Sequence, residues 1–275
     1  MKNTVTTFRA SKGKEKLSMV TAYDYSIASI IEASPVNSIL VGDSLGMVML
    51  GYENTLAVTM EDMIHHTRAV ARACSTTLLV TDMPFMSYHT GIRESVMNAG
   101  RLIQEGHAEA VKLEGGTEFK EEIRAIVRAS IPVMGHLGLT PQSVHAFGGF
   151  KVQGKSVKAA QKLLDDARAV QDAGAFSVVL EGIPKLLGAK ITRELEIPTI
   201  GIGAGNGCDG QVLVWEDMLG MTMRRPKFAR CFFNAGEAMA KAFEEYDASV
   251  KNGSFPDDTY SYLVENEAEI IEQLH

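Results

Sequence analysis

The chain has 275 residues, of which 45% are hydrophobic and 22% are charged, a composition typical of a globular protein with a large core. Its formal net charge of −7 at pH 7 disfavours nucleic acid and anionic membranes as partners. The three cysteines stand far apart in the sequence, which argues against a disulfide framework and a zinc site. No secretion signal and no membrane-spanning apolar run is found, so we expect a cytoplasmic protein.

Short apolar runs alternate with helical segments along most of the chain. The predicted strands cover residues 17–22, 37–42, 77–81, 109–113, 132–135, 176–180, 197–202 and 212–215. The predicted helices between them cover residues 27–33, 60–74, 92–105, 118–129, 156–173 and 184–195. Because the strands are almost continuously apolar, both of their faces should be covered by protein. Eight strands alternating with helices predict one (β/α)₈ barrel, with a doubly wound sheet as the alternative.

The pattern changes after Pro226. Residues 228–250 and 260–274 have the spacing of two amphipathic helices, separated by a turn at residues 252–258. We expect them to pack on the barrel or on a neighbouring subunit. The predicted organisation is thus a single barrel domain over residues 1–275, with residues 228–275 as a C-terminal helical extension.

Five of the predicted strands end in acidic or basic side chains. These side chains are Asp43, Asp82, Lys112 with Glu114, His136 and Glu181. An unpaired ion inside a protein costs several kcal/mol, so charge at the end of an apolar strand indicates a function. Parallel strands of a barrel bring their C-terminal ends to one face, where active sites lie. The sequence therefore predicts one site that contains all these side chains.

Asp43 and Asp82 each follow an apolar strand directly. Two carboxylates aimed into one space repel each other unless a cation or a proton lies between them. Without Cys or His at ligand spacing, oxygen ligands favour Mg²⁺. The alternative is that the two aspartates cap helices or form turns.

Lys112 and Glu114 lie two residues apart, so both should point to the same side of their strand. Lys112 could bind a substrate carboxylate while Glu114 supports the metal. A simple ion pair between them, or a Schiff base on Lys112, stays open at this stage.

Glu181 and His136 complete the set of candidate residues. Glu181 follows an apolar strand and could act as a general base, or it could be a buried carboxylate paired with Lys112 or Lys185. His136 could take part in catalysis, although a lone histidine is more often structural.

Several motifs in fixed order resemble those of one enzyme family. They are VGDSLG at residues 41–46, DMPF at 82–85, VKLEGG at 111–116, PVMGHLGLTPQ at 132–142, LEGIP at 180–184 and IGIGAG at 200–205, followed by DGQVLV at 209–214. Together with Gly51, Tyr52, Thr55 and residues 58–59, they resemble ketopantoate hydroxymethyltransferase over about residues 16–227.

This resemblance implies a (β/α)₈ barrel of the phosphoenolpyruvate/pyruvate type. It implies that a hydroxymethyl group passes from 5,10-methylenetetrahydrofolate to 3-methyl-2-oxobutanoate, giving 2-dehydropantoate in pantothenate synthesis. It also implies a Mg²⁺-stabilised enolate and a large homo-oligomer, a decamer in the best-known members.

The resemblance also assigns roles to residues. It implies that Asp43, Asp82 and Glu114 hold Mg²⁺, that Asp43, Ser44, Asp82 and Lys112 bind the ketoacid, and that Glu181 accepts the proton. His136 is expected to line the wall between the two substrates, and residues 137–154 could contribute to the folate pocket.

Two alternatives remain at the level of the sequence. A Mg²⁺-dependent lyase of the isocitrate-lyase type, acting on C–C or C–P bonds, would share the metal carboxylates, but its Lys-Cys-Gly-His loop does not occur here. A non-catalytic barrel that senses a ketoacid would bind its ligand without proton exchange.

Overall fold

The computed structural model describes residues 2–222 and 225–274 and contains a closed parallel barrel. Its strands are β1 (Leu17–Thr21), β2 (Ser38–Val41), β3 (Leu78–Asp82), β4 (Ala110–Glu114), β5 (Val133–Gly138), β6 (Ser177–Glu181), β7 (Thr199–Ile202) and β8 (Gly210–Leu213). Neighbouring strands pair in chain order, and β8 pairs with β1. The predicted (β/α)₈ barrel is confirmed, and the doubly wound sheet is wrong.

Helices surround the barrel and connect its strands. They are α1 (Val5–Ala10), α2 (Tyr25–Glu32), α3 (Leu45–Val48), α4 (Met60–Ala71), α5 (Ile92–Gln104), α6 (Lys120–Arg128), α7 (Val144–Phe147), α8 (Val157–Asp172), α9 (Lys185–Glu194), α10 (Trp215–Met218), α11 (Ala235–Asn252) and α12 (Glu267–Glu272). The start of α4 is a capping box, in which the Thr59 hydroxyl accepts the Asp62 N–H and the Asp62 carboxylate accepts the Thr59 N–H. Single side-chain caps from Asp24 and Ser156 start α2 and α8.

The buried apolar residues form two layers. One fills the space between the strands and the surrounding helices and includes Val111 and Leu113 of β4. The other lies inside the barrel and includes Ala110 of the same strand. Side chains alternate along a strand, so Lys112 and Glu114 point inward, as the two-residue spacing predicts.

A short N-terminal helix, α1, closes the N-terminal end of the barrel, and sequence analysis did not predict it. Its Phe8 is 1% exposed and belongs to the inner layer. The ring packs edge-to-face on Phe176, with 5.9 Å between the ring centroids. Six residues with a single large apolar side chain are too few for a periodic signal, which explains why this helix escaped prediction.

The C-terminal predictions need correction. The helix predicted from residue 228 begins only at Ala235, because the N–H groups of Phe232 and Ala235 bond to the carbonyls of Met218 and Leu219 and hold this segment against α10. The helix predicted over residues 260–274 shortens to α12, which begins after Asn266 in a left-handed conformation (φ 67°).

The last strand also differs from its prediction. β8 ends at Leu213, and Trp215 starts α10 with its N–H bonded to the Thr21 hydroxyl. Beyond the barrel, α11 buries none of its residues, and the assignment of residues 228–275 to an extension of one domain stays a prediction. None of the helices described here is long and apolar enough to cross a membrane.

Candidate active site

A cavity of about 1060 Å³ opens at the C-terminal ends of the strands. Every side chain that the sequence predicted for the site lines it: Asp43, Ser44, Asp82, Lys112, Glu114, His136 and Glu181. They come from the ends of β2 to β6 and from the residues that follow β2. The predicted convergence of the strand ends on one site is therefore observed.

Asp43 and Asp82 face each other across neighbouring strands and are 3% and 4% exposed. The Asp82 Oδ2 atom accepts the backbone N–H of Asp43 at 3.1 Å. Neither residue caps a helix, since α3 is preceded by Ser44, whose side chain makes no capping bond. The helix-capping part of the alternative is therefore wrong, whereas Asp43 does lie in the turn that leads from β2 into α3.

Lys112 is the cation of this cluster. Its Nζ atom lies 2.8 Å from Asp82 Oδ1 and 3.1 Å from His136 Nδ1. Burial lowers the pKa of Lys112, but the carboxylates of Asp82, Glu114 and Asp43 outweigh this effect and raise it. A lysine that forms a Schiff base needs a lowered pKa, so the surroundings of Lys112 favour ion binding instead.

The cluster holds more carboxyl groups than ammonium groups. Burial raises the pKa of Asp43 well above its usual range, and repulsion from Asp82 and Glu114 adds to this effect. Burial likewise raises the pKa of Glu114 to about 8, against the lowering effect of Lys112. Three buried carboxyl groups with one ammonium group between them lack a further positive charge.

An oxygen-seeking cation fits this donor set. All three acids offer oxygen ligands, which a hard divalent ion such as Mg²⁺ prefers. Within residues 2–222 and 225–274, no three His, Cys, Asp or Glu side chains are already arranged as a cage around a metal. A cation here would depend on water and substrate oxygens for the rest of its ligands, as is usual for Mg²⁺.

His136 links Lys112 to Glu181. Its Nδ1 atom faces the Lys112 ammonium group, which can only donate, so Nδ1 accepts and the ring proton is assigned to Nε2. The Nε2 atom lies 3.2 Å from Glu181 Oε2, and Nδ1 lies 3.4 Å from Glu114 Oε1. Burial and the Lys112 charge lower the pKa of His136, which favours the neutral ring.

Glu181 is the most accessible acid of the site, with 14% of its side chain exposed. Among the ion pairs of the described residues, Glu181 approaches neither Lys112 nor Lys185. The alternative of a carboxylate neutralised by lysine is therefore wrong. Glu181 has its neighbour His136 on one side and the open cavity on the other.

Sequence reasoning missed three residues behind the site. The Tyr23 hydroxyl lies 2.8 Å from Ser44 Oγ. The Gln142 side chain donates to Asp43 Oδ2 at 2.8 Å, and the Tyr88 hydroxyl donates to Gln142 Oε1 at 2.7 Å. Gln142 ends one of the quoted motifs, so the motif included it without giving it a role. No sequence pattern pointed to the two tyrosines.

Comparison with known proteins gives the family. A model of the family described as ketopantoate hydroxymethyltransferase matches residues 2–258. A protein of Enterococcus faecalis named 3-methyl-2-oxobutanoate hydroxymethyltransferase is 59% identical over 277 residues, which cover 100% of both chains. A protein of Clostridium acetobutylicum with the same name is 58% identical and covers 96% of this chain and 97% of its own.

Solved structures confirm the fold. Phosphonopyruvate hydrolase, in a complex with oxalate and Mg²⁺, superposes with a TM-score of 0.60 at 15% identity, over 99% of this chain and 94% of its own. A 2,3-dimethylmalate lyase of the phosphoenolpyruvate mutase/isocitrate lyase superfamily gives 0.61 at 16% identity, over 95% and 89% of the two chains. At such low identity the likeness shows the fold alone.

The sequence relatives decide between the alternatives left open above. Both relatives match this chain over nearly its whole length and are named as transferases. The chain is therefore an enzyme, and the alternative of a non-catalytic sensor barrel is wrong. The motifs in its sequence, the barrel and the family match agree, and the chain belongs to the ketopantoate hydroxymethyltransferase family.

Proposed function

We propose that the enzyme transfers a hydroxymethyl group from 5,10-methylenetetrahydrofolate to 3-methyl-2-oxobutanoate, giving 2-dehydropantoate for pantothenate synthesis. The observation that carries this proposal is the buried cluster of Asp43, Asp82, Lys112 and Glu114 beside the His136–Glu181 pair. The cluster could bind a small anion, Glu181 could act as an accessible base beside it, and the chain belongs to this family.

Asp43, Asp82 and Glu114 would hold Mg²⁺. Their oxygen-only donor set and the raised pKa values of Asp43 and Glu114, which show that these acids lack enough neighbouring positive charge, fit this ion. A bound Mg²⁺ would supply positive charge that stabilises the negative charge developing on the ketoacid.

Lys112 and Ser44 bind the ketoacid with Asp43 and Asp82. The Lys112 ammonium group neutralises the substrate carboxylate, and its own contact with Asp82 Oδ1 keeps it in place. The Ser44 hydroxyl, held by the Tyr23 hydroxyl, donates to the same carboxylate. His136 forms the wall of the site between Lys112 and Glu181.

Glu181 acts as the general base. It takes the proton from C3 of the ketoacid, the C3–H electron pair becomes the C2–C3 double bond, and the keto oxygen takes the negative charge. Neutral His136 lies beside this base, with Nε2 3.2 Å from Glu181 Oε2. C3 then forms a bond to the methylene carbon as the first of its two carbon–nitrogen bonds to the folate breaks. Water forms the new carbon–oxygen bond as the second carbon–nitrogen bond breaks, and the two freed folate nitrogens take up the C3 proton and one proton of the water.

The cavity has room for both substrates. Its volume of about 1060 Å³ reaches the upper end of the range usual for ligand sites. Leu139, Pro141, Phe150 and Val152 line it, all within the predicted segment 137–154. These apolar walls suit the flat pteridine ring, and we propose this segment as part of the folate pocket.

The test replaces the base and follows the first step alone. Purified protein with Mg²⁺ and ketoacid in D₂O, without folate, should exchange the C3 proton for deuterium. Glu181→Gln should lower both exchange and transfer by about 10²–10⁴-fold, because a positioned base contributes about that factor. Glu61→Gln is the matched control, since that side chain is 72% exposed, and it should leave both rates unchanged.

Near-normal exchange in Glu181→Gln would show that another group is the base. Exchange by the wild-type protein without transfer from the folate would contradict the proposed transfer while leaving the enolisation step in place. The two results are therefore distinguishable in one set of samples.

We also propose a homo-oligomer, a decamer, in the cytoplasm. One face of α11 carries exposed apolar side chains at helical spacing, Met239, Phe243, Tyr246 and Val250, which would be covered by other copies of the chain. Three free cysteines agree with a reducing compartment. Light scattering after size exclusion measures the mass, and a monomer at micromolar concentration would contradict the oligomer.

A further inference from the structure

Gln142 contacts the ends of three strands of the barrel. Its side-chain Nε2 donates to Asp43 Oδ2 at 2.8 Å and to the Met83 carbonyl at 3.0 Å. Its backbone N–H donates to Glu114 Oε2 at 3.0 Å. A single residue thus joins the residues that follow β2 and β3 to the last residue of β4.

Tyr88 fixes the direction of the Gln142 amide. The Tyr88 hydroxyl oxygen accepts the Glu114 N–H at 3.2 Å, and its own proton goes to Gln142 Oε1 at 2.7 Å. Because Oε1 accepts from Tyr88, the amide nitrogen must face Asp43 and the Met83 carbonyl, both of which are acceptors. Tyr88 is 1% exposed and Gln142 is 6% exposed, so water does not compete for these bonds.

The backbone around Gln142 is also held in place. Pro141 and Gln142 belong to a 3₁₀ turn over Pro141–Ser143, directly after the loop that follows β5. The proline fixes its own φ angle and lacks an N–H group, so the N–H of Gln142 is the one presented to Glu114. The turn therefore sets the position of one carboxylate through the backbone and of another through the side chain.

We infer that Gln142 is a positioning residue that holds Asp43 and Glu114 at the separation needed to share one divalent cation. This inference rests on the metal role proposed above for these acids. Glutamine suits the task because it is neutral and brings a donor to a carboxylate. Methionine of similar length brings none, and asparagine is one methylene shorter.

Gln142→Met tests the inference on the metal alone, by calorimetric titration of the protein with MgCl₂. We expect the Kd for Mg²⁺ to rise by about 10–100-fold, the factor that corresponds to loss of a hydrogen bond to a charged group. The KM for the ketoacid should rise as well. The matched control is Gln171→Met, whose amide oxygen accepts the N–H groups of Glu196 and Ile197 away from the cavity. It should leave the Kd unchanged.

A purely structural role would lower the melting temperature of the metal-free protein and leave the Kd for Mg²⁺ unchanged. An unchanged Kd in Gln142→Met therefore overturns the inference while the metal role of the acids stands. A wild-type protein that binds no Mg²⁺ overturns both.

Tyr88→Phe provides the second variant, because it removes one hydroxyl and keeps the ring. It frees the Gln142 amide to rotate, so the Kd for Mg²⁺ should rise in the same direction by a smaller factor. In the double variant the two effects should not multiply, since both act through the same amide. If Gln142→Met does not fold, an unchanged Kd in Tyr88→Phe overturns the inference.

Discussion

The two ends of the barrel differ in what they bury. At the C-terminal end, buried acids around Lys112 line a cavity. At the N-terminal end, Phe8 and Phe176 fill the interior, and the carboxylates of Asp209 and Glu32 accept hydrogen bonds from neighbouring residues. Barrels of this type carry their active site at the C-terminal end, whereas the N-terminal end contributes to stability. A substitution at the C-terminal end should therefore affect activity, and one at the N-terminal end should affect stability.

Two ion pairs with the same nitrogen–oxygen distance show how the two ends of the barrel differ. Lys112 lies 2.8 Å from Asp82, and Lys12 lies 2.8 Å from Asp209 near the start of β8. Burial alone would raise the pKa of Asp209, but Lys12 and the N–H groups of Thr199 and Gly13 lower it. At the other end, burial and neighbouring acids raise the pKa of Asp43. The carboxylate of Asp209 is neutralised by Lys12, whereas the carboxyl group of Asp43 accepts its hydrogen bond from the neutral amide of Gln142.

The strongest test of this comparison replaces each of the two lysines by methionine, one at a time. Lys112→Met should lower kcat/KM by about 10²–10⁴-fold, because the substrate carboxylate loses its buried counter-ion, which costs about 2–5 kcal/mol of binding free energy. Lys12→Met should lower the free energy of unfolding and leave kcat/KM of the folded protein unchanged. An equal loss of kcat/KM in both variants would show that the ends do not act separately.

Phe8→Ala tests the stabilising end. Removing a fully buried ring should lower the free energy of unfolding by about 3–5 kcal/mol, measured by urea titration. Activity per folded molecule should be unchanged, because the ring lies at the end opposite to the cavity. Phe232→Ala is the control, since its side chain is 59% exposed and should matter by less than about 0.5 kcal/mol. A loss of activity without a loss of stability would contradict the division.

Removal of Mg²⁺ tests the C-terminal end of the barrel through its effect on stability. At a free Mg²⁺ concentration of 100 times its Kd, the ion should stabilise the protein by about 2.7 kcal/mol relative to EDTA. Glu114→Gln should abolish this gain, and Phe8→Ala should keep it, although it starts from a lower stability. Thermal melting with and without the metal measures both, and a Mg²⁺ effect that survives in Glu114→Gln would exclude this acid as a ligand.

The barrel and the members of the site were predictable because both depend on local patterns. Continuous apolar runs identify strands buried on both faces, and a charge directly after such a run identifies its end. The closed order of the strands then brings Asp43, Asp82, Glu114 and Glu181 to one cavity. Two-residue spacing was enough to place Lys112 and Glu114 on the inner face.

The residues that hold the site together were not predictable, because their roles depend on contacts between distant segments. Gln142 lies 99 positions from its partner Asp43, and Tyr88 lies 54 positions from Gln142. The predicted bounds of the C-terminal helices were wrong for a similar reason. Hydrogen bonds from the segment at Phe232 to α10 replace helical bonds that the apolar spacing alone would favour.

The smallest effect concerns Glu32, at the end of α2, near the N-terminal end of the barrel. Its carboxylate accepts hydrogen bonds from Ser75, Thr76 and Thr77, which precede β3. Burial alone would raise the pKa of Glu32, but these bonds lower it from 4.5 to about 2. A lowered pKa stabilises the folded state above the unfolded value of 4.5, and this contribution is lost as the pH falls toward about 2.

Glu32→Gln should therefore lower the free energy of unfolding by about 1 kcal/mol at pH 7, the size expected for hydrogen bonds near solvent. The difference from the wild-type protein should shrink between pH 4.5 and pH 2, where the wild-type carboxylate becomes protonated. Urea titrations at pH 7, 4 and 3 measure it, with activity at pH 7 expected to be unchanged. A difference that stays constant with pH would mean that the charge of Glu32 contributes nothing and that only its shape matters.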